Sequence, residues 1–238
     1  MEAVIMTGGR GIRLRPYTDI LPKGLLPVGE SPILELIVHK LKAAGVTGIT
    51  MACGYKAPLI QTYFGDGSAW DVVIRHVVEK EPLGTAGALK MCTHIHEPFL
   101  VINCDVLTTL NIWEFASFHR SHGDMLTVAS QKRTVPIEFG VLETHQDVIT
   151  GIKEKPFHEA MVSMGIYMAN PDIREYIPAD CYVDMPDLIM LLLSSGEKVR
   201  HYTNNAFWLD IGRPEDYMRA KQVYTELAGT LFNGEYNG

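Results

Sequence analysis

The sequence has few cysteines, and they do not form the pairs that a metal ribbon or a disulfide framework needs. Cys53, Cys92, Cys104 and Cys181 are spread over 238 residues without a Cys-x2-Cys spacing. Zinc ribbons use such pairs, and disulfide scaffolds are short chains with closely spaced cysteines. We therefore predict four buried, free thiols in a reducing compartment.

Long apolar runs and an excess of basic charge are also absent. The longest apolar cluster, Leu188–Leu193, is far shorter than the ~18–20 residues of a membrane span, and the first residues lack a signal-peptide pattern. The formal net charge is −7, whereas general nucleic-acid binders carry basic surfaces. We therefore expect a soluble, cytoplasmic protein that binds neither membranes nor nucleic acids.

The first 130 residues alternate between short apolar runs and helical patterns. The apolar runs predict strands at Ala3–Thr7, Gly48–Ala52, Val72–Val78, Phe99–Asn103 and Met125–Ser130. The first helical pattern has its N-cap at Ser31 and ends before Gly45. Further helical patterns lie at Pro58–Phe64, Thr85–Cys92 and Asn111–His122. This alternation predicts an α/β fold with a doubly wound, mostly parallel, Rossmann-like sheet.

The pattern changes after residue 130, where strand-like runs follow one another without a helix. Glu138–Glu143, Val148–Glu154 and Val162–Ala169 predict a β-rich insertion. The rest of the chain predicts a helix at Met185–Ser194 capped by Asp184, a strand at Ala206–Asp210, and a helix at Pro214–Leu227. The glycine- and asparagine-rich tail, 229–238, is expected to fray. We predict a single domain over residues 1–238.

One glycine-rich segment differs from the rest of the chain in its charge. Residues 7–16 are Thr-Gly-Gly-Arg-Gly-Ile-Arg-Leu-Arg-Pro, directly after the first predicted strand, where α/β folds bind their ligands. Residues 7–29 hold three arginines and one lysine against the single carboxylate of Asp19, a local charge of +3. Because glycines let backbone N–H groups approach an anion, this segment predicts a polyphosphate site.

Two other glycine motifs for phosphate do not fit this segment. The P-loop needs Gly-x4-Gly-Lys-Ser/Thr, a spacing that the segment does not contain. The dinucleotide fingerprint needs a third glycine where Leu14 stands, followed at once by a helix. A nicotinamide oxidoreductase is therefore disfavoured.

Five segments, in order and over nearly the whole chain, resemble the motifs of the sugar-1-phosphate nucleotidyltransferases, or nucleoside-diphosphate-sugar pyrophosphorylases. They are Gly8–Pro16 with Leu21-Pro22-Lys23, Glu81–Leu89, Asn103-Cys104-Asp105, Glu154-Lys155-Pro156, and Trp208–Gly212. The pattern is most similar to short guanylyltransferases that act on mannose-, heptose- or hexosamine-type 1-phosphates. The resemblance implies a nucleotidyltransferase type A-like fold, with a nucleotide-binding half at about 1–130, a sugar-binding half at about 131–212, and a C-terminal helix and tail at 213–238.

The family's reaction is the attack of a sugar 1-phosphate oxygen on the α-phosphorus of a nucleoside triphosphate, with loss of pyrophosphate. The nucleophile is already an anion, so catalysis needs positioning and charge neutralisation rather than a general base. The resemblance implies that Arg13 and Lys23 neutralise the triphosphate. It also implies that Gly8, Gly9 and Gly11 supply backbone contacts to the nucleotide.

The resemblance further implies a magnesium cofactor. Asp105 and Asp210 each end an apolar strand, so both are expected at one edge of the sheet. Two carboxylates there suit Mg²⁺, with phosphate oxygens and waters completing the octahedron. The family often forms dimers, so a homodimer is a further expectation.

The sugar 1-phosphate is expected to contact the β-rich half. By resemblance, Lys155 holds its phosphate, Glu154 accepts hydrogen bonds from its hydroxyls, and Gly140 and Gly165 let the sugar approach the backbone. Mannose, heptose and hexosamine 1-phosphates all remain candidates, because the residues that distinguish hydroxyl stereochemistry are not identifiable from the sequence.

The preferred triphosphate is predicted to be GTP. Glu79 precedes Gly84 and Thr85 in the segment similar to the family's base-contacting turn. A carboxylate accepts from both adjacent donors of guanine, N1–H and the 2-amino group, whereas uracil and thymine suit an amide. Adenine and cytosine would leave a ring-nitrogen acceptor facing the carboxylate. Alternatively, Glu79 faces solvent and Glu81 or backbone groups contact the base. A separate alternative is the same reaction with UTP, dTTP or CTP.

Three positions depart from the family's usual residues. Ile12 stands where threonine is usual, Gly24 where proline is usual, and Cys104 where glycine is usual. Ile12 removes a hydroxyl, and Gly24 is expected to loosen the loop that holds Lys23. These departures leave a second hypothesis, a non-catalytic nucleotide-sugar sensor or regulatory subunit. The retained Lys23, Asp105, Asp210 and Lys155 favour the enzyme.

Overall fold

The predicted alternation of strands and helices is present in a computed structural model, which describes residues 1–232. The strands are β1 (Glu2–Met6), β2 (Pro27–Val28), β3 (Ser31–Pro32), β4 (Gly48–Cys53), β5 (Val73–Val78), β6 (Phe99–Asn103), β7 (Val106–Thr108), β8 (Leu126–Pro136), β9 (Val141–His145), β10 (Val148–Lys153), β11 (Phe157–Ala169), β12 (Val199–Thr203) and β13 (Trp208–Asp210). The α-helices are α1 (Tyr17–Ile20), α2 (Ile33–Ala43), α3 (Ala57–Phe64), α4 (Gly84–Gly87), α5 (Ile112–His122), α6 (Met185–Ser194) and α7 (Pro214–Phe232).

A seven-stranded sheet forms the centre of the molecule, in the order β12-β8-β11-β6-β1-β4-β5. β1 pairs in parallel with β4 and β6, β4 pairs in parallel with β5, and β8 pairs in parallel with β12. β11 alone runs antiparallel to both of its neighbours. The predicted mixed α/β fold with a mostly parallel sheet is therefore confirmed, and the carboxyl ends of β1, β4, β5 and β6 meet at one edge.

Helices cover both faces of this sheet because its central strands are apolar on both sides. In β1, Ala3 and Ile5 pack on one face and Val4 and Met6 on the other, and all four are buried. The first face packs against α2, α3, α5 and α7, and the second against α4 and α6. In the part of the chain that the structure describes, none of the helices combines the length and apolarity needed to cross a membrane.

Three predicted helices differ from the prediction in where they begin, continue or end. Ser31 and Pro32 pair with Val28 and Pro27, so α2 begins at Ile33 and Ser31 is not its N-cap. The predicted helix at Thr85–Cys92 is one α-turn, α4, followed by a 3₁₀ turn at Ala88–Met91. The closing helix α7 extends to Phe232, past the predicted end at Leu227, and residues 233–238 of the predicted tail lie outside the described residues.

The sequence pattern also missed β7 and β12. β7 has only three residues and pairs antiparallel with β13. β12 is the polar segment Val-Arg-His-Tyr-Thr at the edge of the large sheet, where a strand need not be apolar on both faces. Short length and edge position explain why periodicity did not find them.

The β-rich insertion forms an exposed arm, defined here as residues 132–162. The outer parts of β8 and β11 pair with each other, and β9 and β10 form a separate hairpin between them. The backbone N–H of Ile137 donates to the carbonyl of Pro156 at 2.9 Å, at the base of this hairpin. Eight large apolar side chains of the arm are exposed: Val135, Phe139, Leu142, Val148, Ile149, Ile152, Phe157 and Met161.

The cysteines are free, as predicted, but one of them is not buried. Cys53, Cys92 and Cys104 are buried, and Cys181 is exposed. Cys181 lies in the irregular segment before α6, which packs over α4 rather than inside the core. The prediction of four buried thiols is therefore wrong at this position.

Candidate active site

A cavity of about 810 Å³ lies at the edge where the carboxyl ends of β1, β4, β5 and β6 meet. Residues Gly8–Arg13 and Lys23 form one wall of it, and residues 79–85 form another. The third set of lining residues is Tyr182 and Asp184. Its position agrees with the rule that open parallel sheets bind ligands at the carboxyl ends of their strands.

The glycine-rich loop is held in one conformation by hydrogen bonds. Gly11 has φ +58°, and a Cβ there would lie 2.9 Å from Thr18 Cγ2, so both the backbone conformation and the space require glycine. Thr18 Oγ1 donates to the carbonyl of Gly11 at 2.9 Å, and Tyr55 Oη donates to the carbonyl of Thr18 at 3.2 Å. Lys56 Nζ donates to the carbonyls of residues 19 and 20. Tyr55 and Lys56, in the segment that follows β4, therefore hold the loop in place.

Lys23 contacts one of the carboxylates predicted to bind metal. Its Nζ donates to Asp105 Oδ2, and the two side chains are only 11% and 16% exposed. Asp105 Oδ1 is also buried, and it has no hydrogen-bond partner in the described structure. The same holds for Oδ1 of neighbouring Asn103. Buried oxygens without a donor cost free energy, so this corner of the cavity suits a cation or a donor ligand.

Asp210 and Arg13 lie beside this pair. Arg13 Nη2 and Asp210 Oδ1 are each 3.3 Å from the position that a Cβ would take on Gly212. Partial burial raises the pKa of Asp210, and the charge of Asp105 raises it further, while Lys23 and Arg13 act in the opposite direction. The structure thus brings together the four charged side chains to which the sequence assigned catalytic and metal-binding roles.

Glu79 lines the cavity beside Gly8 of the glycine-rich loop. Its two carboxylate oxygens are each 3.2 Å from the position of a Cβ on Gly8, and Oε2 is 3.3 Å from that of Gly54. The backbone N–H of Leu83 donates to Oε2 at 3.2 Å. Burial raises the pKa of Glu79 above its ordinary value, although the Leu83 hydrogen bond lowers it. Glu79 therefore lines the cavity, as Glu81 also does, and which of them contacts the base stays a prediction.

Thr85 lines the cavity, but its polar groups already have protein partners. Its N–H and Oγ1 both donate to Asp184 Oδ1, at 2.9 and 3.0 Å, and its Oγ1 accepts from the N–H of Met185 at 2.9 Å. Gly84 has φ +80°, and a Cβ there would lie 2.5 Å from the carbonyl of Val183. Contacts with the segment before α6 therefore hold residues 84 and 85 in the cavity wall.

Three residues predicted to bind the sugar phosphate lie on the arm. A Cβ on Gly140 would lie 3.2 Å from Glu154 Oε2, so these two residues are neighbours. Lys155 follows with φ +44°, a backbone conformation that L-residues rarely adopt outside constrained sites. None of the three is among the described residues that line the cavity. Their roles stay predictions.

Gly165, the fourth predicted sugar residue, lies at the sheet instead. It has φ +71°, and a Cβ there would lie 2.7 Å from Asn103 Nδ2 and 3.5 Å from Val106 Cγ2. Glycine is therefore required by packing against β6 and β7. The position adjoins Asn103, which lines the cavity and whose buried Oδ1 has no hydrogen-bond partner in the described structure.

One of the three departures from the family pattern has a structural explanation. Gly24 is buried, and a Cβ there would lie 3.3 Å from Leu34 Cβ, so close packing disfavours a side chain at this position. Burial raises the pKa of the Cys104 thiol to about 12, so it stays neutral. Ile12 lines the cavity and is 60% exposed, and nothing in the structure explains its presence there.

Sequence analysis missed several residues that line the cavity. Gly54 and Tyr55 follow β4, and the same strand-end argument that found Gly8 and Asp105 would have found them. Tyr182 and Asp184 carried no such signal, because the 181–184 segment reaches the cavity only by packing on α4. Tyr182 Oη donates to Asp184 Oδ2 at 2.9 Å.

Comparisons with known proteins agree with this architecture. The Nucleotidyl transferase family model matches residues 2–226. A mannose-1-phosphate guanyltransferase of Aspergillus oryzae is 34% identical over 96% of this chain, and one of Schizosaccharomyces pombe is 32% identical over 94%. The chain spans only 65% and 64% of the lengths of these two relatives.

Solved structures show the same fold. A Bacillus anthracis protein in complex with a sucrose, provisionally named a glucose-1-phosphate thymidylyltransferase, has a TM-score of 0.77 and 26% identity over 94% of each chain. HddC from Yersinia pseudotuberculosis, complexed with GMP-PN, has a TM-score of 0.73 and 26% identity, covering 94% of this chain and 99% of its own.

Proposed function

Because this chain belongs to the nucleotidyl transferase family, we propose that it transfers a nucleotidyl group from a nucleoside triphosphate to a sugar 1-phosphate. The observation that carries the proposal is the cavity at the strand ends. It is lined by the glycine-rich loop, Arg13 and Lys23, and by the carboxylate of Glu79, which adjoins Gly8. Basic groups, backbone N–H donors and a carboxylate acceptor in one cavity suit a nucleotide, whose phosphates need the first two and whose base can donate to the third.

The proposed reaction needs no general base. An oxygen of the sugar 1-phosphate forms a bond to the α-phosphorus, the bond from that phosphorus to the bridging α–β oxygen breaks, and pyrophosphate leaves with the bonding electrons. Lys23 and Arg13 stabilise the charge that develops on the phosphates. Backbone N–H groups of Gly8, Gly9 and Gly11 position the nucleotide.

We also propose Mg²⁺ as the cofactor. The donor set fits this ion, because Asp105 has a buried oxygen without a partner and Asp210 lies in the same charge cluster. Within the described residues, His, Cys, Asp and Glu form no group of three or more that could hold a metal. Two carboxylates completed by substrate phosphates and water suit Mg²⁺, which neutralises phosphate charge when bound.

The metal proposal is tested by removing the ion and by weakening its site. EDTA is expected to stop turnover, and Asp105→Asn to raise the Mg²⁺ concentration needed for half-maximal rate. Full activity in EDTA, or an unchanged Mg²⁺ requirement in the variant, would contradict the assignment.

We propose guanine as the base, with Glu79 as its acceptor. The carboxylate is half-buried against Gly8 and Gly54, and only Oε2 takes a hydrogen bond from Leu83 within the described structure. Acceptor capacity therefore remains for the two adjacent donors of guanine. The names of the relatives, mannose-1-phosphate guanyltransferases, support the same base and make mannose 1-phosphate the first acceptor to test.

For the sugar, we propose that the arm supplies Lys155 for the phosphate and Glu154 and Gly140 for the hydroxyls, with Gly165 at the sheet. The support is that Gly140 and Glu154 are neighbours and that Lys155 holds an unusual backbone conformation beside them. In this arrangement residues 1–130 bind the nucleotide and residues 131–212 the sugar.

The function is tested by pyrophosphate release from GTP, UTP, dTTP, CTP and ATP, each with mannose, heptose and hexosamine 1-phosphates. GTP is expected to be the best triphosphate, and Glu79→Gln is expected to reduce its advantage. Release with none of the pairs would favour the non-catalytic sensor. A GTP preference that Glu79→Gln leaves unmoved would remove Glu79 from the base site.

Two coarser properties complete the proposal. A homodimer is supported by the eight exposed apolar side chains of the arm, because such patches on soluble proteins commonly mark contact surfaces. The four free cysteines support a reducing compartment such as the cytoplasm. Sedimentation velocity of wild type and Ile149→Ser tests the dimer, which would dissociate in the variant.

A further inference from the structure

The cavity wall that contains α4 is held in place by the segment before α6. The N–H groups at the start of a helix have no partners inside that helix. In α4, those of Ala86 and Gly87 donate to the carbonyl of Val183, at 2.9 and 3.1 Å. The N–H of Thr85 donates to Asp184 Oδ1 at 2.9 Å. The start of α4 is therefore bound to protein acceptors, and its position depends on residues 183 and 184.

The carboxylate of Asp184 is the centre of this contact. Its Oδ1 accepts from the N–H and from Oγ1 of Thr85, at 2.9 and 3.0 Å, and its Oδ2 accepts from Tyr182 Oη at 2.9 Å. Burial raises the pKa of Asp184, but the hydrogen bonds from Thr85 and Tyr182 bring it below its ordinary value. Hydrogen bonds to an ionised carboxylate are stronger than those between neutral groups. Asp184 therefore holds Thr85 by two charge-assisted hydrogen bonds.

Leu83 connects this contact to Glu79. The N–H of Leu83 donates to Glu79 Oε2 at 3.2 Å, and its carbonyl accepts from the N–H of Val183 at 2.9 Å. The next residue, Gly84, has φ +80°, and a Cβ on it would lie 2.5 Å from the carbonyl of Val183. The turn thus packs on residue 183 without room for a side chain. A shift of residues 183 and 184 therefore moves the Leu83 N–H, which orients the Glu79 carboxylate.

We propose that Asp184 is a positioning residue for selection of the base: it holds the turn at Leu83–Thr85 so that the Glu79 carboxylate faces the two donors of guanine. The inference rests on the proposed function, because it takes Glu79 as the base contact. It adds that a residue outside the nucleotide-binding half of the chain contributes to the choice of nucleotide.

A role for Asp184 as a cap of α6 alone is the alternative, and Asp187 allows the two roles to be separated. Asp184 and Asp187 form a capping box at the start of α6, in which the N–H of Asp184 donates to Asp187 Oδ2 at 3.0 Å. Asp187 is exposed and is not among the described residues that line the cavity. Its removal therefore weakens the same helix end without releasing Thr85.

The test measures binding of GTP and of ITP by titration calorimetry, with Mg²⁺ present and without a sugar 1-phosphate, so that no transfer occurs. ITP has the same charge as GTP but lacks the 2-amino group, so the ratio of the two affinities cancels a general effect of charge. Wild type is expected to prefer GTP roughly 10-fold, the worth of one hydrogen bond to a charged group. Asp184→Ala is expected to lower this ratio to about 3-fold or less. Asp187→Ala is expected to leave it unchanged.

Two further variants and one double variant separate positioning from folding. Asp184→Asn keeps an N-cap and one oxygen for Thr85, so it is expected to retain most of the wild-type ratio. Thr85→Val keeps the shape of the side chain and the cap of α6 but loses the Oγ1 hydrogen bonds, so it is expected to lower the ratio. In a Glu79→Gln background, Asp184→Ala is expected to lower the ratio no further, because both substitutions act through the same carboxylate.

The inference is overturned if Asp184→Ala lowers the ratio no more than Asp187→Ala, or if it lowers the ratio equally with and without Glu79→Gln. If Asp184→Ala does not fold, an unchanged ratio in Thr85→Val overturns it. A ratio that Glu79→Gln leaves unmoved rejects Glu79 as the base contact and this inference with it, whereas a fall in Glu79→Gln but not in Asp184→Ala rejects this inference alone. Absence of pyrophosphate release together with the expected ratios would reject the proposed transfer and keep the positioning role.

Discussion

The nucleotide side of the cavity and the arm differ in how firmly the fold holds them. On the nucleotide side, β1, β4 and β6 are buried on both faces, and hydrogen bonds between Tyr55 and Thr18 and between Thr85 and Asp184 tie the cavity walls to distant segments. In the arm, β9 and β10 pair only with each other within the described structure, and their side chains are mostly exposed. An isolated two-stranded hairpin is marginally stable in water.

This difference predicts where a substitution changes activity without changing the stability of the fold. On the nucleotide side, a change at a functional residue also disturbs packing or a buried ion pair. On the arm, a functional residue has few neighbours to lose, so its loss should affect substrate affinity alone. The following predictions test this separation, from the largest expected effect to the smallest.

Lys23→Ala is expected to lower turnover by a factor on the order of 10² or more, because it removes charge stabilisation from the transition state. It should also lower the free energy of unfolding by about 1–3 kcal/mol, since Asp105 loses its only donor among the described residues and stays mostly buried. Steady-state kinetics and urea denaturation measure the two effects. Lys80→Ala is the control, and wild-type turnover in folded Lys23→Ala would reject the catalytic role.

The same substitution at two isoleucines compares the stability of the two regions directly. Ile102→Ala in β6 is expected to cost about 2–5 kcal/mol, because the side chain is buried and leaves a cavity. Ile149→Ala in β10, where the side chain is 60% exposed, is expected to stay within about 0.5 kcal/mol. Urea midpoints measure both, at protein concentrations below any dimer formation. Similar losses would show that the arm is part of the cooperative core.

Lys155→Met is expected to raise the KM for the sugar 1-phosphate roughly 10-fold, the worth of one hydrogen bond to a charged group. The KM for GTP and the melting temperature should not change, because Lys155 lies on the arm. Lys153→Met, which removes an exposed lysine paired with Glu143 across the hairpin, is the matched control. An equal effect of both variants would remove the specific role of Lys155.

The preference for GTP over UTP is expected to fall as the pH is lowered. Burial raises the pKa of Glu79, so its carboxylate takes up a proton at a higher pH than an ordinary glutamate and then no longer accepts from both guanine donors. The ratio of kcat/KM values from about pH 8 to about pH 5 measures this few-fold change. In Glu79→Gln the ratio should be independent of pH over the same range.

The sequence predicted the parts of the site that lie at the ends of buried strands. Gly8, Glu79 and Asp105 follow β1, β5 and β6, and parallel strands bring such ends to one edge. Asp210 ends β13, which pairs antiparallel with β7 outside the large sheet, so this rule does not explain its position. The basic loop beside these residues also follows from the sequence. The contact between Lys23 and Asp105 did not, because strand periodicity gives positions along a sheet edge but not which side chains meet across it.

The parts that the sequence did not predict depend on contacts between distant segments or on exposed strands. Asp184 was predicted only as a helix cap, yet its carboxylate also holds Thr85, 99 residues earlier in the chain. β12 and the boundaries of the hairpin in the arm have too little apolar alternation for a periodicity argument. Ser31 resembles an N-cap in sequence, but its backbone pairs with β2 and does not cap α2.

The hydrogen bond between Ile137 and Pro156 bears on how this protein could change its acceptor. Because it joins the two chain ends of the hairpin, residues 138–155 leave the body and return to it at adjacent points. The two ends of the hairpin are thus held together whatever its length, and insertions within it cost little free energy of folding. Three of the four proposed sugar contacts lie on this excursion. Acceptor choice can therefore diverge by exchanging one surface hairpin, while the nucleotide chemistry is inherited unaltered.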